Sequence, residues 1–234
     1  MKKLLLASTS TIHGGDFLDY LLPYLTTHFK DIEKLLFIPY ARPGGISYTS
    51  YTAVAQKAFT QIGIKVTGIH EYDSPKTAIE NAQGIYVGGG NTFVLLQEIY
   101  KQGIYHTLQH KIASGTPYLG TSAGSNIAGK TIATTNDMPI MYPESFNALQ
   151  CIPLNINPHY LDPIPTSTHM GETRATRIKE FHTYHAIPVI GLREGSWLMV
   201  QDDTITLQGD QSARVFEQNK APYEIQSNTK LEFL

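Results

Sequence analysis

Through roughly its first half the chain alternates short apolar runs with longer amphipathic stretches. The runs "KLLLAS" (3–8), "KLLFIPY" (34–40), "IKVTGIH" (64–70), "GIYVGGG" (84–90) and "TPYLG" (116–120) predict strands. Between them, "DFLDYLLPYLTTHF" (16–29), with Asp16 near its start, "SYTSYTAVAQKAFTQIG" (47–63) and "PKTAIENA" (75–82) predict helices. Two further helices follow in "NTFVLLQEIYKQG" (91–103) and "IYHTLQHKIASG" (104–115). Short strands separated by longer helices argue for an α/β fold with a mostly parallel sheet and helices on both faces. Past residue 130 the pattern breaks. Residues 138–165 are proline-rich and loop-like, a helix is expected from Gly171 to His182, and short strands at 188–191, 196–200 and 204–207 follow. We expect one α/β domain over residues 1–234.

Parallel sheets bind ligands outside the carboxyl ends of their strands. The residues just past each strand therefore matter most: Arg42, "GGGN" (88–91) and "TSAG" (121–124). In "YLGTSAGSNIAG" (118–129) a lone hydroxyl, Ser122, stands in G-x-S-x-G between a strand and a helix. That is a nucleophile elbow, in which the sharp turn lifts the serine oxygen above the sheet. The plainer alternative is that Gly120 and Gly124 only allow close helix–strand packing. In "VGGGNT" the backbone N–H groups of Gly89 and Gly90 are candidates for an oxyanion hole with that of Ala123. The alternative there is an ordinary turn in which Asn91 caps the next helix.

A serine nucleophile needs a base. Of nine histidines, His159 in "LNINPHY" follows a run of strand type, where this architecture displays catalytic groups. His106 and His110, and His182 and His185, have helical spacing, but neither pair comes with H-E-x-x-H or a carboxylate in register, so no metal is expected.

Composition narrows the class. With 41% hydrophobic and 16% charged residues among 234, the chain can bury a large core. A formal charge of −2 and no basic block argue against a nucleic-acid partner. The opening "MKKLLLASTS" imitates a signal peptide, yet its apolar run is too short for one and reads as a first strand. No run approaches a membrane span. The single cysteine, Cys151, excludes an intrachain disulfide. A cytoplasmic location, no membrane contact and a small-molecule ligand are the expectation.

The motifs "GGGNTF", "SAG", "TTNDMPI", "INPH", "GETR" and "GLREG", in this order and spacing from "LLLAST" to "ARVF", resemble the peptidase E family. These are serine dipeptidases that cleave after N-terminal aspartate, with a fold related to class I glutamine amidotransferases. The resemblance implies Ser122 as nucleophile, His159 as base, a preference for Asp-Xaa dipeptides, and no metal or cofactor. Position 121 is Thr, where the bacterial dipeptidases lead one to expect Trp; "GTSAG" is also similar to cyanophycin-cleaving peptidases. Asp137 and Glu194 both match family positions that could orient the histidine. The reading favours Asp137 as the charge-relay residue, with Glu194 close to the site or in the role itself. For the substrate, "GETRATR" offers Arg174 and Arg177 beside Glu172. Arg174 is taken as the residue that binds the aspartate side chain, with Glu172 and Asn91 also substrate-binding and Arg42 a weaker candidate. A thiol-dependent amidotransferase-like hydrolase, a cyanophycinase-like peptidase and a non-catalytic anion-binding α/β protein are the competing readings.

Overall fold

The computed structural model describes residues 1–163, 166, 168 and 170–232. The expected loop reaches Ile164 and Pro165, which lie outside the described residues. The first half runs β1 (Lys3–Ala7), α1 (Leu22–His28), β2 (Lys34–Ile38), α2 (Tyr48–Thr60), β3 (Lys65–Gly68), α3 (Pro75–Glu80), β4 (Gly84–Val87), α4 (Thr92–Lys101), α5 (Tyr105–Ala113), β5 (Tyr118–Thr121) and α6 (Ala123–Asn126). The second half is β6 (Asn155–Pro158), α7 (Arg174–Tyr184), β7 (Val189–Leu192), β8 (Ser196–Gln201), β9 (Thr204–Gly209), β10 (Ala213–Phe216) and β11 (Tyr223–Ile225).

Among the described residues the strands form two sheets. One has the order β3-β2-β4-β5-β1-β8-β9 and the other β11-β10-β7-β6. In the first, β3, β2, β4, β5 and β1 pair in parallel, and β8 and β9 close one edge antiparallel. This matches the mostly parallel sheet. The apparent signal peptide is β1, held in the sheet between β5 and β8 and buried from Leu4 to Ala7.

Side chains alternate along each strand, so both faces are covered. Leu4, Leu6, Leu36, Ile38, Ile85 and Val87 pack under α3, α4 and α5. Leu5, Ala7, Leu35, Phe37 and Tyr86 pack under α1 and α2. Each leucine removed from water here contributes roughly 1.5–3 kcal/mol. Ile156, Ile190 and Leu192 of the second sheet join the first of these clusters, so one core supports both sheets.

Two expectations needed adjustment. The helix foreseen at 16–29 is a short 3-10 turn, Asp19–Leu21, followed by α1. Pro23 lies in the first turn of α1, where a missing N–H is harmless and where it bars continuation from upstream. The strand foreseen at 64–70 stops at Gly68 and turns into a 3-10 helix, Ile69–Glu71. No helix among the described residues is long and apolar enough to cross a membrane.

Candidate active site

Ser122 leaves β5 and opens α6 with φ 52° and ψ −110°, a conformation few L-residues adopt. A Cβ on Gly120 would run into the Gly124 carbonyl, and one on Gly124 into the Val87 carbonyl. Close packing and a half-buried hydroxyl raised above the sheet are thus two results of one turn rather than rival explanations. The turn is tied to β1, because Ser122 N–H donates to the Ala7 carbonyl at 3.1 Å. Thr121, at the position where Trp was expected, is fully buried and its hydroxyl lies 3.2 Å from that of Tyr86. This departure from the family pattern sits in the core beneath the elbow.

His159 follows β6 as Glu194 follows β7. These strands are parallel neighbours with Pro158 opposite Leu192, so both residues emerge at one end of the second sheet. His159 has φ 52°, and its backbone is held from three directions. Its N–H donates to Ser8 Oγ at 2.9 Å, and Ser8 Oγ donates onward to the Leu192 carbonyl at 2.7 Å. Arg174 Nη1 donates to the carbonyls of His159 and Pro158. Asn136 Nδ2 donates to the Pro158 carbonyl at 2.7 Å.

The imidazole that results bridges two groups. Nε2 lies 2.8 Å from Ser122 Oγ and Nδ1 lies 2.7 Å from Glu194 Oε1. An ionised carboxylate can only accept, so Nδ1 carries the proton and Nε2 is left to accept from the serine hydroxyl. The imidazole and carboxylate side chains are 35% and 47% exposed, which leaves room for a ligand to reach them. The carboxylate's field extends to Tyr20, whose phenol donates to the Thr9 carbonyl at 2.7 Å. Burial first, and then the charge of Glu194, hold that phenol above its ordinary titration range.

The expectation that Asp137 orients His159 does not fit this arrangement. Asp137 Oδ2 instead accepts from the backbone N–H and the hydroxyl of Thr92, at 2.7 and 2.6 Å. Gly89 is corrected as well. Its N–H donates to Tyr51 Oη at 3.0 Å, while its carbonyl accepts from Arg42 Nε at 3.1 Å. In a trans peptide the next N–H points away from that carbonyl, and the N–H groups of Gly90 and Ala123 meet no acceptor among the described residues. Asn91 uses both ends of its amide, Oδ1 capping α4 at the Val94 N–H and Nδ2 donating to the Met138 carbonyl. The capping alternative describes its Oδ1, and the second amide N–H meets no acceptor among the described residues.

Arg174 sits at the start of α7 beside the histidine turn. Nε and Nη2 have no acceptor among the described residues. Burial and the neighbouring Arg177 pull its titration below the ordinary arginine value. Glu172 and Arg177 form an exposed pair at 4.0 Å, worth about 0–1 kcal/mol. Cys151 is buried far from any such arrangement, and burial pushes its thiol up to about 12, so it does not compete as a nucleophile.

Three contributors escaped the reading of the sequence. Ser8 had a positional signal, since it follows β1 at the ligand-binding edge of the sheet. Asn136 lies within "TTND" but was overshadowed by Asp137. Tyr51, inside α2, carries no signal at all.

Residues 4–208 match the model of peptidase family S51. The chain is 45% identical over 222 residues to "Peptidase E" of Streptomyces coelicolor, covering 95% of this chain and 90% of that one. It is 42% identical over 236 residues to the "Probable alpha-aspartyl dipeptidase" of Drosophila melanogaster, covering 100% and 97%. Among solved structures, a peptidase from an acI-B1 Actinobacterium superposes with TM-score 0.76 at 16% identity, covering 100% of this chain and 97% of that one. The last match concerns the fold, which is consistent with the class I glutamine amidotransferase-like architecture. The chain belongs to peptidase family S51.

Proposed function

We propose that this chain is a serine dipeptidase that removes an N-terminal aspartate from Asp-Xaa dipeptides. Ser122 Oγ attacks the carbonyl carbon of the aspartyl residue while its proton passes to His159 Nε2. Glu194 holds the Nδ1 proton and stabilises the imidazolium that forms. The negative oxygen of the tetrahedral intermediate is received by the N–H groups of Gly90 and Ala123, the latter at the positive end of α6. His159 then gives its proton to the departing amine, leaving aspartyl-Ser122, which water hydrolyses by the same steps in reverse. Arg174 meets the aspartate side chain through its remaining N–H groups, since a guanidinium matches a carboxylate in planar, charge-assisted pairs.

The observation that carries this reading is the chain Ser122 Oγ–His159 Nε2, 2.8 Å, and His159 Nδ1–Glu194, 2.7 Å, set on a strained strand-to-helix turn. The aspartyl preference is taken from the Drosophila melanogaster relative, the "Probable alpha-aspartyl dipeptidase". Its test is a kinetic panel of Asp-Leu against Glu-Leu, Asn-Leu and Leu-Leu, with fluorophosphonate labelling of the protein. Stoichiometric labelling at Ser122 and selective hydrolysis of Asp-Leu are expected; an unlabelled protein, or equal rates across the panel, defeats the reading. Because Arg174 also holds the histidine turn, Arg174→Met lowers kcat/KM for every substrate. For Asp-Leu it falls a further ~30-fold relative to Asn-Leu, the loss on the order of 2 kcal/mol expected when a desolvated carboxylate goes unpaired.

A further inference from the structure

We propose that Asp137 is a positioning residue for the oxyanion-binding turn, clamping the start of α4 so that the Gly90 N–H, two residues earlier, stays aimed at the reacting carbonyl. The proposal rests on the reading of Gly90 as an oxyanion donor given above.

Thr92 opens α4 and is fully buried. Its N–H is one of those a helix cannot satisfy internally, and left unpaired it would cost about 1–3 kcal/mol. Asp137 Oδ2 takes this N–H at 2.7 Å and the Thr92 hydroxyl at 2.6 Å, with Thr135 Oγ1 3.0 Å away. A carboxylate at a helix start also gains from the dipole. The next contact along the segment repeats the tie, since the Met138 carbonyl accepts from Asn91 Nδ2 at 2.9 Å. On its far side the turn is fixed by Tyr51 and Arg42 on Gly89 and by the Ala41 carbonyl, which accepts from Asn91 N–H at 2.7 Å. Among the described residues Gly90 is therefore the one residue of the 89–92 turn whose N–H meets no acceptor, and its neighbours on both sides are anchored.

The residue before Asp137 does the same for the opposite wall of the site. Asn136 Nδ2 donates to the Pro158 carbonyl, and Asn136 Oδ1 accepts from Asn157 Nδ2 at 2.9 Å. Consecutive side chains thus join the turn that carries the base to the turn that carries the oxyanion donor. The distance between them is set by a short, doubly anchored strut. This gives Asp137 a function without any contact to His159.

The test measures the rate at which a fluorophosphonate labels Ser122, a reaction that builds charge on a phosphoryl oxygen and needs no dipeptide. Asp137→Ala is expected to label about 100-fold more slowly, in the range of losing one oxyanion donor. Asp137→Asn keeps an oxygen for the Thr92 N–H and is expected to stay within about tenfold of wild type. In both, the pH midpoint of labelling stays in place, whereas Glu194→Gln moves it. With Asp-Leu, the loss in Asp137→Ala falls on kcat and not on KM. The proposal is overturned if Asp137→Asn is as slow as Asp137→Ala with a displaced midpoint, because the acid then acts through the imidazole. It is overturned equally if Asp137→Ala labels at the wild-type rate. Should Asp137→Ala fail to fold, Asp137→Asn decides alone, by its rate and midpoint. A protein that labels at Ser122 but cleaves no dipeptide overturns the proposed function and leaves this test standing.

Discussion

The turn that carries Ser122 and the turn that carries His159 solve the same problem by opposite means. Both hold a non-glycine residue at φ 52° against its own preference. The serine turn is built from contiguous sequence, with two glycines whose missing side chains admit the Gly124 and Val87 carbonyls. The histidine turn has no glycine beside it and is held by residues from far away, Ser8, Asn136 and Arg174. Local sterics fix the nucleophile; long-range hydrogen bonds bring the base to it. What fixes a residue through its neighbours can be read from a motif, and the distant tethers that fix another cannot.

The largest expected effect removes either turn's reacting group. Ser122→Ala and His159→Ala should each lower kcat by about 10⁴-fold or more, and the double variant should lose little beyond that, since members of one triad act as a unit. Additive losses measured by steady-state kinetics would show that the two turns act independently. Neither change should reduce thermal stability appreciably, because both side chains are only partly buried.

A smaller effect should separate the two turns. Ser8→Ala deprives the His159 N–H and the Leu192 carbonyl of their shared partner while leaving the elbow alone. We expect a loss of about 1–3 kcal/mol in urea unfolding and a fall in kcat of roughly 10- to 100-fold, as sub-ångström misplacement of a catalytic group produces. Activity unchanged by Ser8→Ala would mean that the other tethers suffice.

The effect smallest on activity belongs to the serine side; it bears on stability alone and appears only in acid. His28 is buried against β5, 3.1 Å from the Tyr118 carbonyl, and burial, aided by Lys3, pushes its pKa down to about 4. In the unfolded chain a histidine takes its proton near 6.5. Stability is therefore full above that pH and falls as pH drops from about 6.5 to about 4, where the unfolded state holds the extra proton. Two to three units correspond to about 3 kcal/mol. Unfolding free energies from urea titrations at pH 7 and 4.5 should show a drop in wild type that is smaller in His28→Gln by about 2–3 kcal/mol.

The same contrast explains what the sequence disclosed. The parallel strands were legible because burial on both faces forces uninterrupted apolar runs such as "LLLA" and "LLFI". β10 and β11 were not foreseen, since "ARVF" and "YEI" are too short and too mixed in polarity to stand out. Ser122 and His159 were legible as candidates because each follows a strand at the ligand-binding edge. The choice between Asp137 and Glu194 was not. Both are carboxylates in plausible motifs, and only the pairing of β6 with β7 decides which one reaches Nδ1. The N–H of Gly89 looked as free as that of Gly90, because nothing in α2 announces that Tyr51 will claim it.

The position of β1 has a kinetic consequence. Its partner on one side is β8, with Ala7 opposite Trp197 and Lys3 opposite Gln201. During synthesis the first strand must wait for a partner almost two hundred residues away, roughly 10–40 s at ordinary elongation rates. Such a late, non-local pairing slows folding. Because Ala7 receives the Ser122 N–H and Ser8 receives that of His159, activity should emerge only after this closure. A nascent chain arrested before residue 196 should hold its first four α/β units and yet leave the fluorophosphonate unreacted.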